Sequence, residues 1–362
     1  MNSRFNSNTG EFGLFYLLLL FYILPSIIAT SPSRNPTASR WYKAAMSQLA
    51  AILNMFSLGV FDFLHVFIPF SLLIDSYTIL YQTSVILLAN TCLVIGSILI
   101  YHYGVQKLYD IVYSSLDLPL LDHILFMTIH SLWILPIFLY CQLSAASKYQ
   151  ALADSILEHL KSAKKLTISI NKYISNSSYG FLAWLLTFLQ VQIASAVFPI
   201  VARSITMGLN MPSLTQPVLL ATELITGLLS CALYAWYCFD YRWTSLGLDP
   251  DARFAVMERH WPYFVGFGFP FVFLNKMTTF FVGYGTFLAY FPMAVMIGTV
   301  VDYERSSLSQ STKVPPLQLF KLTRLSAKTI VGFLERSKRI QEQSRAERTS
   351  YVQKAHGELK QQ

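Results

Sequence analysis

Six ionisable side chains stand in stretches otherwise too apolar to hold them: Asp62, His65, His130, Arg203, Glu223 and Lys276. Charge at the centre of a bilayer costs about 2.5–3.5 kcal/mol even on insertion scales, so such groups pair, line a path or act. Asp62 and His65 are three apart and share a helix face, as a proton-sensitive couple or a mutually satisfied pair. Arg203 ends one apolar run and Glu223 lies about two turns into the next, so a hairpin brings them close to an ion pair. Lys276 sits beside Asn275 in the run most interrupted by Gly and Pro. An ammonium flanked by half-helix ends attracts an anion, pairing with Glu223 makes it structural, and a hairpin turning there leaves it near an interface. Arg203, Glu223, Asn275 and Lys276 are therefore the candidate intramembrane polar or anion site.

Other chemistries find little support. Cys92, Cys141, Cys231 and Cys238 lie in or beside apolar runs, with neither metal-ligand spacing nor a disulfide framework. They read as small packing residues. No phosphate loop, nucleophile elbow, HExxH or CxxC is present. The chain is expected to have no catalysis of its own, no cofactor and no metal.

The elements that must position these residues are long apolar runs at 54–74, 78–100, 120–142, 181–203, 217–239 and 263–300. Roughly 20 apolar residues are what a helix needs to cross about 30 Å of hydrocarbon. Charged residues make up 13% of the chain, about half the roughly 25% usual in soluble domains. The expected fold is an all-α polytopic membrane protein of about six transmembrane helices. Gly266, Gly268, Pro270, Asn275, Lys276, Gly283, Gly285 and Pro292 break the last run, which reads as a broken or re-entrant helical hairpin. Tyr and Trp near the run ends (Trp41, Tyr77, Tyr101, Tyr103, Trp236, Trp243, Trp261) suit an interfacial belt.

Three regions follow. Residues 1–53 hold an apolar segment, 12–29, that is an anchor or a signal-like sequence, and a Pro/Ser linker at 31–40. Residues 54–301 are the transmembrane domain. Residues 302–362 carry twelve Lys/Arg against six Asp/Glu, which accounts for six of the net charge of +8. Within them, 317–341 mixes Leu319, Leu322, Phe333 and Leu334 with Lys321, Arg324, Lys328, Arg336 and Lys338. That pattern reads as a basic amphipathic helix on anionic lipid headgroups, and nucleic acid is not an expected partner. Lys/Arg counts place 143–180, 240–260 and the tail in the cytosol. Residues 146–166 read as an amphipathic helix. Asn176 heads a glycosylation triplet but falls on the cytosolic side, so no glycan is expected.

The densest pattern is SLWILPIF (131–138), FPI (198–200), YCFDYRW (237–243) and ERHWPYFVGFGFPFVFL (258–274). It resembles the etoposide-induced protein 2.4 family, endoplasmic-reticulum membrane proteins distantly related to bacterial sulfate permeases. The signature residues are Tyr241, Arg242, Trp243, Trp261, Pro262, Tyr263, Gly266, Gly268 and Pro270. Asp240, Arg242, Glu258 and Arg259 flank it and read as pairing or orienting charges. Gly266 and Gly268 read as permitting close helix packing or a backbone break. The resemblance implies an endoplasmic-reticulum multi-pass protein acting in autophagy, at maturation of autophagosomes, with links to apoptosis. It implies other membrane proteins as partners, with a homo-oligomer open. The alternative it implies is an anion permease of sulfate type.

Overall fold

The structure is a computed structural model, which describes residues 36–100, 145–160, 170–208, 215–278, 280–303, 314–330 and a few single positions outside these ranges. Helix is the regular structure throughout, and no strand occurs among the described residues. In chain order the helices are α1 (Pro36–Phe63), α2 (Phe67–Asp75), α3 (Tyr77–Ile100), α4 (Ile170–Gly208), α5 (Thr215–Ser245), α6 (Pro250–Arg259), α7 (Trp261–Met277) and α8 (Phe280–Val300). Residues 145–159 and 321–330 are helical as well. Lys43–Asp75, Leu185–Gly208 and Thr215–Ser245 are long and apolar enough to cross a membrane, and Gly285–Val300 is a shorter apolar helix. The chain is an all-α membrane protein.

The helices depart from the apolar runs in instructive ways. Helix begins at Pro36, inside the stretch expected to be a linker, because proline is preorganised for the first helical turn and needs no N–H there. The run 54–74 is not one continuous helix. It breaks between Phe63 and Phe67, where Pro69 in the first turn of α2 would strike the residue-65 carbonyl of an uninterrupted helix. The run 263–300 divides after Met277 into the hairpin α7–α8. The 181–203 run extends in both directions into the 39-residue α4. His130, Cys141, Tyr101, the run 120–142, the segment 12–29, the side chains of Trp41 and Asn176, and most of the tail beyond 330 lie outside the described residues.

The core forms where α7 is held between α1 and α5, with α8 on their flank. The 145–159 helix carries the predicted amphipathic spacing and buries Tyr149, Leu152, Ala153, Ile156 and Leu157. Asn90 of α3 ties it to α8, donating to Tyr149 Oη at 3.1 Å and to the Leu288 carbonyl at 2.9 Å. Gln150 ties it to α5 through the Tyr241 carbonyl and Ser245 Oγ. The segment read as an amphipathic helix is thus part of the packed body.

Candidate functional site

Of the signature residues, Tyr241, Arg242, Trp243, Trp261, Tyr263, Gly266 and Gly268 hold helices or the C-terminal segment together. A Cβ at Gly266 would fall inside contact distance of the Phe56 carbonyl, and one at Gly268 would meet the Cys231 carbonyl. Gly59 meets the backbone of Tyr263 and Phe267 in the same way. Backbone therefore lies on backbone at two successive points of α7, against α1 on one side and α5 on the other. Only glycine permits that approach.

Aromatic rings fill what remains. Phe239 packs edge-on to Phe264 and Phe267 at centroid distances of 5.1 and 4.9 Å. Trp243 is fully buried and donates its indole N–H to Tyr303 Oη at 3.2 Å. Trp236, 3% exposed, stacks on Phe254 at 4.3 Å. This corrects the interfacial-belt reading for these two tryptophans. They sit at a run end because α6, α7 and the C-terminal segment pack over that end. Tyr77 is 80% exposed, as a belt residue would be.

The charges at the corner are structural partners. Arg253 is 2% exposed, binds Asp240 Oδ1 at 2.6 Å, and also donates from Nε to the Leu248 carbonyl. Arg242 donates to the Gly298 and Val301 carbonyls and lies over the Tyr303 ring, its Cζ 5.4 Å from the centroid. A guanidinium there caps the carbonyl end of α8 and complements its dipole. Glu258 receives Arg324 at 3.3 Å and the Phe320 N–H at 3.3 Å, and its own carbonyl accepts from Leu317. Arg253 was not singled out from sequence. An arginine in a polar stretch reads as surface, and only the order Asp240 to Arg253, from the last turns of α5 to one turn into α6, hints at the clasp.

Residues 314–330 complete the corner. Trp261 donates to the Pro315 carbonyl at 3.2 Å. Phe320, Thr323 and Ala327 are buried. Thr323 donates to Gln190 Oε1 of α4 at 2.6 Å. Lys328 meets Asp251 at 2.8 Å with both side chains about half exposed, where an ion pair contributes little. The amphipathic helix expected over 317–341 thus buries Phe320, Thr323 and Ala327 against protein. Its outward face shows Leu322, Leu325 and Phe333 among Lys321, Lys328 and Arg336.

The remaining candidates are dispersed. Asp62 accepts from Tyr263 Oη at 2.7 Å and lies 3.7 Å from His65 Nδ1. Tyr290 donates to the Phe63 carbonyl at 2.8 Å, so the end of α1 is fixed to both arms of the hairpin. Asn275 donates to Tyr234 Oη at 2.7 Å. Lys276 is exposed in the last turn of α7, where the helix dipole itself favours a cation. The neighbouring Asn275 reaches Tyr234, eleven residues along α5 from Glu223. Thr215 Oγ1 bonds Thr206 Oγ1 at 2.9 Å, pinning α4 to α5. Arg203 lies three residues before that point and Glu223 eight after it, so their depths differ by roughly 7–8 Å. Among the described residues no ion pair joins Arg203, Glu223 and Lys276. No group of His, Cys, Asp and Glu among them is arranged to hold a metal.

His260, between α6 and α7, is 7% exposed, and burial together with the Arg259 charge lowers its pKa below the ordinary value. The folded state therefore holds the proton less tightly than the unfolded chain. Stability is full above about pH 6.5 and is lost as pH falls through the depressed value. Melting of the detergent-purified protein should drop between pH 7 and 5, and His260→Gln should flatten that drop. An unchanged profile in the variant would assign the acid sensitivity elsewhere.

No family model matches the chain, and no solved structure does. Among curated proteins it is similar to the Protein EI24 homolog of Dictyostelium discoideum, 22% identical over 209 residues that take in 58% of this chain and 61% of that protein. It is also similar to Ectopic P granules protein 4 of Caenorhabditis elegans, 30% identical over 99 residues, 27% of this chain and 31% of that one. The Protein EI24 homolog of Arabidopsis thaliana is 30% identical over 82 residues, 21% of this chain and 24% of that one. Each match spans less than two thirds of the relative's length.

Proposed function

Because this chain resembles the etoposide-induced protein 2.4 (EI24) family, as its curated relatives bear out, we propose that it is a multi-pass protein of the endoplasmic-reticulum membrane acting in autophagy. It acts at the maturation of autophagosomes into degradative compartments, as a scaffold for other membrane proteins and without catalysis of its own. The observation that carries the scaffold reading is the engagement of the signature. Tyr263, Trp243, Arg242, Glu258, Gly266 and Gly268 each bind or abut another helix or the C-terminal segment. Side chains committed to internal contacts build a rigid body and leave no reactive pair. The tail faces the cytosol, and its outward Lys321, Lys328 and Arg336 lie against anionic headgroups beside Leu322 and Phe333.

The test is genetic. Cells lacking the protein should accumulate autophagosomes that form but retain undegraded cargo, and the intact chain should restore cargo turnover. Normal turnover in the null, with sulfate uptake as the defect, would replace this reading by the permease.

A further inference from the structure

We propose that residues 314–330 are an intramolecular ligand seated in a peptide-binding groove formed by α5, α6 and α7, and that the groove takes a partner protein's segment of like chemistry in exchange. The way the segment is held carries this. Residues 315–318 have no regular structure and are exposed among the described residues. Val314 and Phe320 on either side of them are 3% and 1% exposed. A core segment is covered along its length, whereas a peptide in a groove is gripped at its anchors and wet between them. Between the anchors the grip is polar and runs through the main chain. Trp261 of α7 donates to the Pro315 carbonyl at 3.2 Å, and the Leu317 N–H donates to the Glu258 carbonyl at 3.0 Å. The Phe320 N–H donates to Glu258 Oε1 at 3.3 Å. Aromatic-lined grooves that take proline-rich segments are a recurring mode of peptide recognition.

The seat also states the chemistry of its occupant. Phe320 fills a slot between Trp236 of α5 and Phe254 of α6, with ring centroids 6.0 and 5.3 Å away. Asp251 and Glu258 stand seven apart, so they share one face of α6, and Arg324 and Lys328 stand four apart on the segment's helix. These acids and bases pair, Glu258 with Arg324 at 3.3 Å and Asp251 with Lys328 at 2.8 Å. The Glu258 side chain is 8% exposed, so its pair is the one that discriminates. The fitting occupant is therefore a basic segment that opens on an apolar residue and prolines, sets Phe six residues on, and sets Arg four residues after that. Ten residues separate Val314 from Tyr303, and a ligand on so short a tether acts at about millimolar effective concentration. The chain's own segment thus keeps the groove closed to weak competitors. This deepens the scaffold reading and rests on it for one point, that the partner is a membrane protein with a cytosolic segment.

Two measurements on the full-length chain in nanodiscs of neutral lipid, to which a basic peptide does not adhere, test the proposal. Hydrogen exchange of the wild type comes first. The Leu317 and Phe320 amides should exchange at least about tenfold faster than those of α7, because a seated ligand leaves without the core opening. Equal protection would make the segment part of the core and overturn the proposal. A fluorescent peptide of residues 314–330 is then titrated, with empty nanodiscs as the baseline. The Phe320→Ala chain should bind it saturably and at least about tenfold more tightly than wild type, whose own segment competes. In that background Glu258→Gln, or the same peptide carrying Phe320→Ala, should each weaken binding by about tenfold, the order of one lost anchor. Size exclusion checks that the variants stay monodisperse, and Arg324→Ala replaces Phe320→Ala as the open chain should the latter aggregate. Absence of saturable binding to a monodisperse open chain, or binding that ignores both weakening changes, would also overturn it. Failure here leaves the autophagy reading standing, since the genetic test asks what the whole chain does and the peptide asks only what the groove holds.

Discussion

Gly266→Leu should leave no monodisperse protein after solubilisation, and Gly268→Leu should do the same. At both positions a Cβ meets a main-chain carbonyl, of Phe56 in α1 and of Cys231 in α5. Ordinary overpacking of a core costs about 1–3 kcal/mol because neighbouring side chains shift rotamer. A helix backbone has no rotamer to change, so α7 must move bodily away from α1 or α5. That movement also separates Tyr263 from Asp62 and Phe267 from Phe239 and Phe63. Size-exclusion profiles of fluorescently tagged variants measure the outcome. Gly96→Ala, at a site with nothing within 4 Å of the added carbon, is the control and should match wild type. A well-folded Gly266→Leu would show that α7 is not held backbone to backbone.

The Asp240–Arg253 clasp should respond asymmetrically. Arg253 is 2% exposed whereas the Asp240 side chain keeps 26%. Asp240→Ala strands a buried guanidinium, and removing one partner of a buried pair costs about 3–5 kcal/mol. Arg253→Met leaves a carboxylate that can still reach water and preserves the buried stem, so its loss should be the smaller. The double variant should recover most of the difference, because two neutral groups leave no uncompensated charge. Thermal melts in one detergent would rank the three. Equal losses for the two single changes would mean that water reaches Arg253 as readily as Asp240.

The apolar runs made the helical membrane class legible, since length and hydrophobicity alone set what can cross hydrocarbon. The glycines of 266 and 268 were legible as packing residues because Gly in an apolar helix has few other uses. What stayed hidden was pairing in space. Arg253 looked like surface because nothing local distinguishes a buried guanidinium from a solvated one. Trp236 and Trp243 looked interfacial because position along a run says nothing about what covers its end. The segment 314–330 looked lipid-bound because a basic amphipathic pattern fits a protein groove and a headgroup layer equally well. Lys276 stayed open between a buried site and an interface because the run carries breakers on both sides of it and nothing local marks that α7 ends at Met277. Arg203 and Glu223 looked adjacent because the register of α4 on α5 depends on two threonine hydroxyls 2.9 Å apart.

The closing contacts of residues 314–330 also bear on how the molecule is made. Translation delivers α5, α6 and α7 to the membrane before Phe320, Thr323 and Arg324 exist. During that interval the Glu258 carboxylate lacks Arg324, and the rings of Trp236 and Phe254 lack the cover of Phe320. A nascent chain is therefore recognisable as incomplete until residues 314–330 seat. A message truncated ahead of Val314 yields a product with α1 to α8 in place and one raw corner, the kind of surface that quality-control machinery at the membrane reads as unfinished.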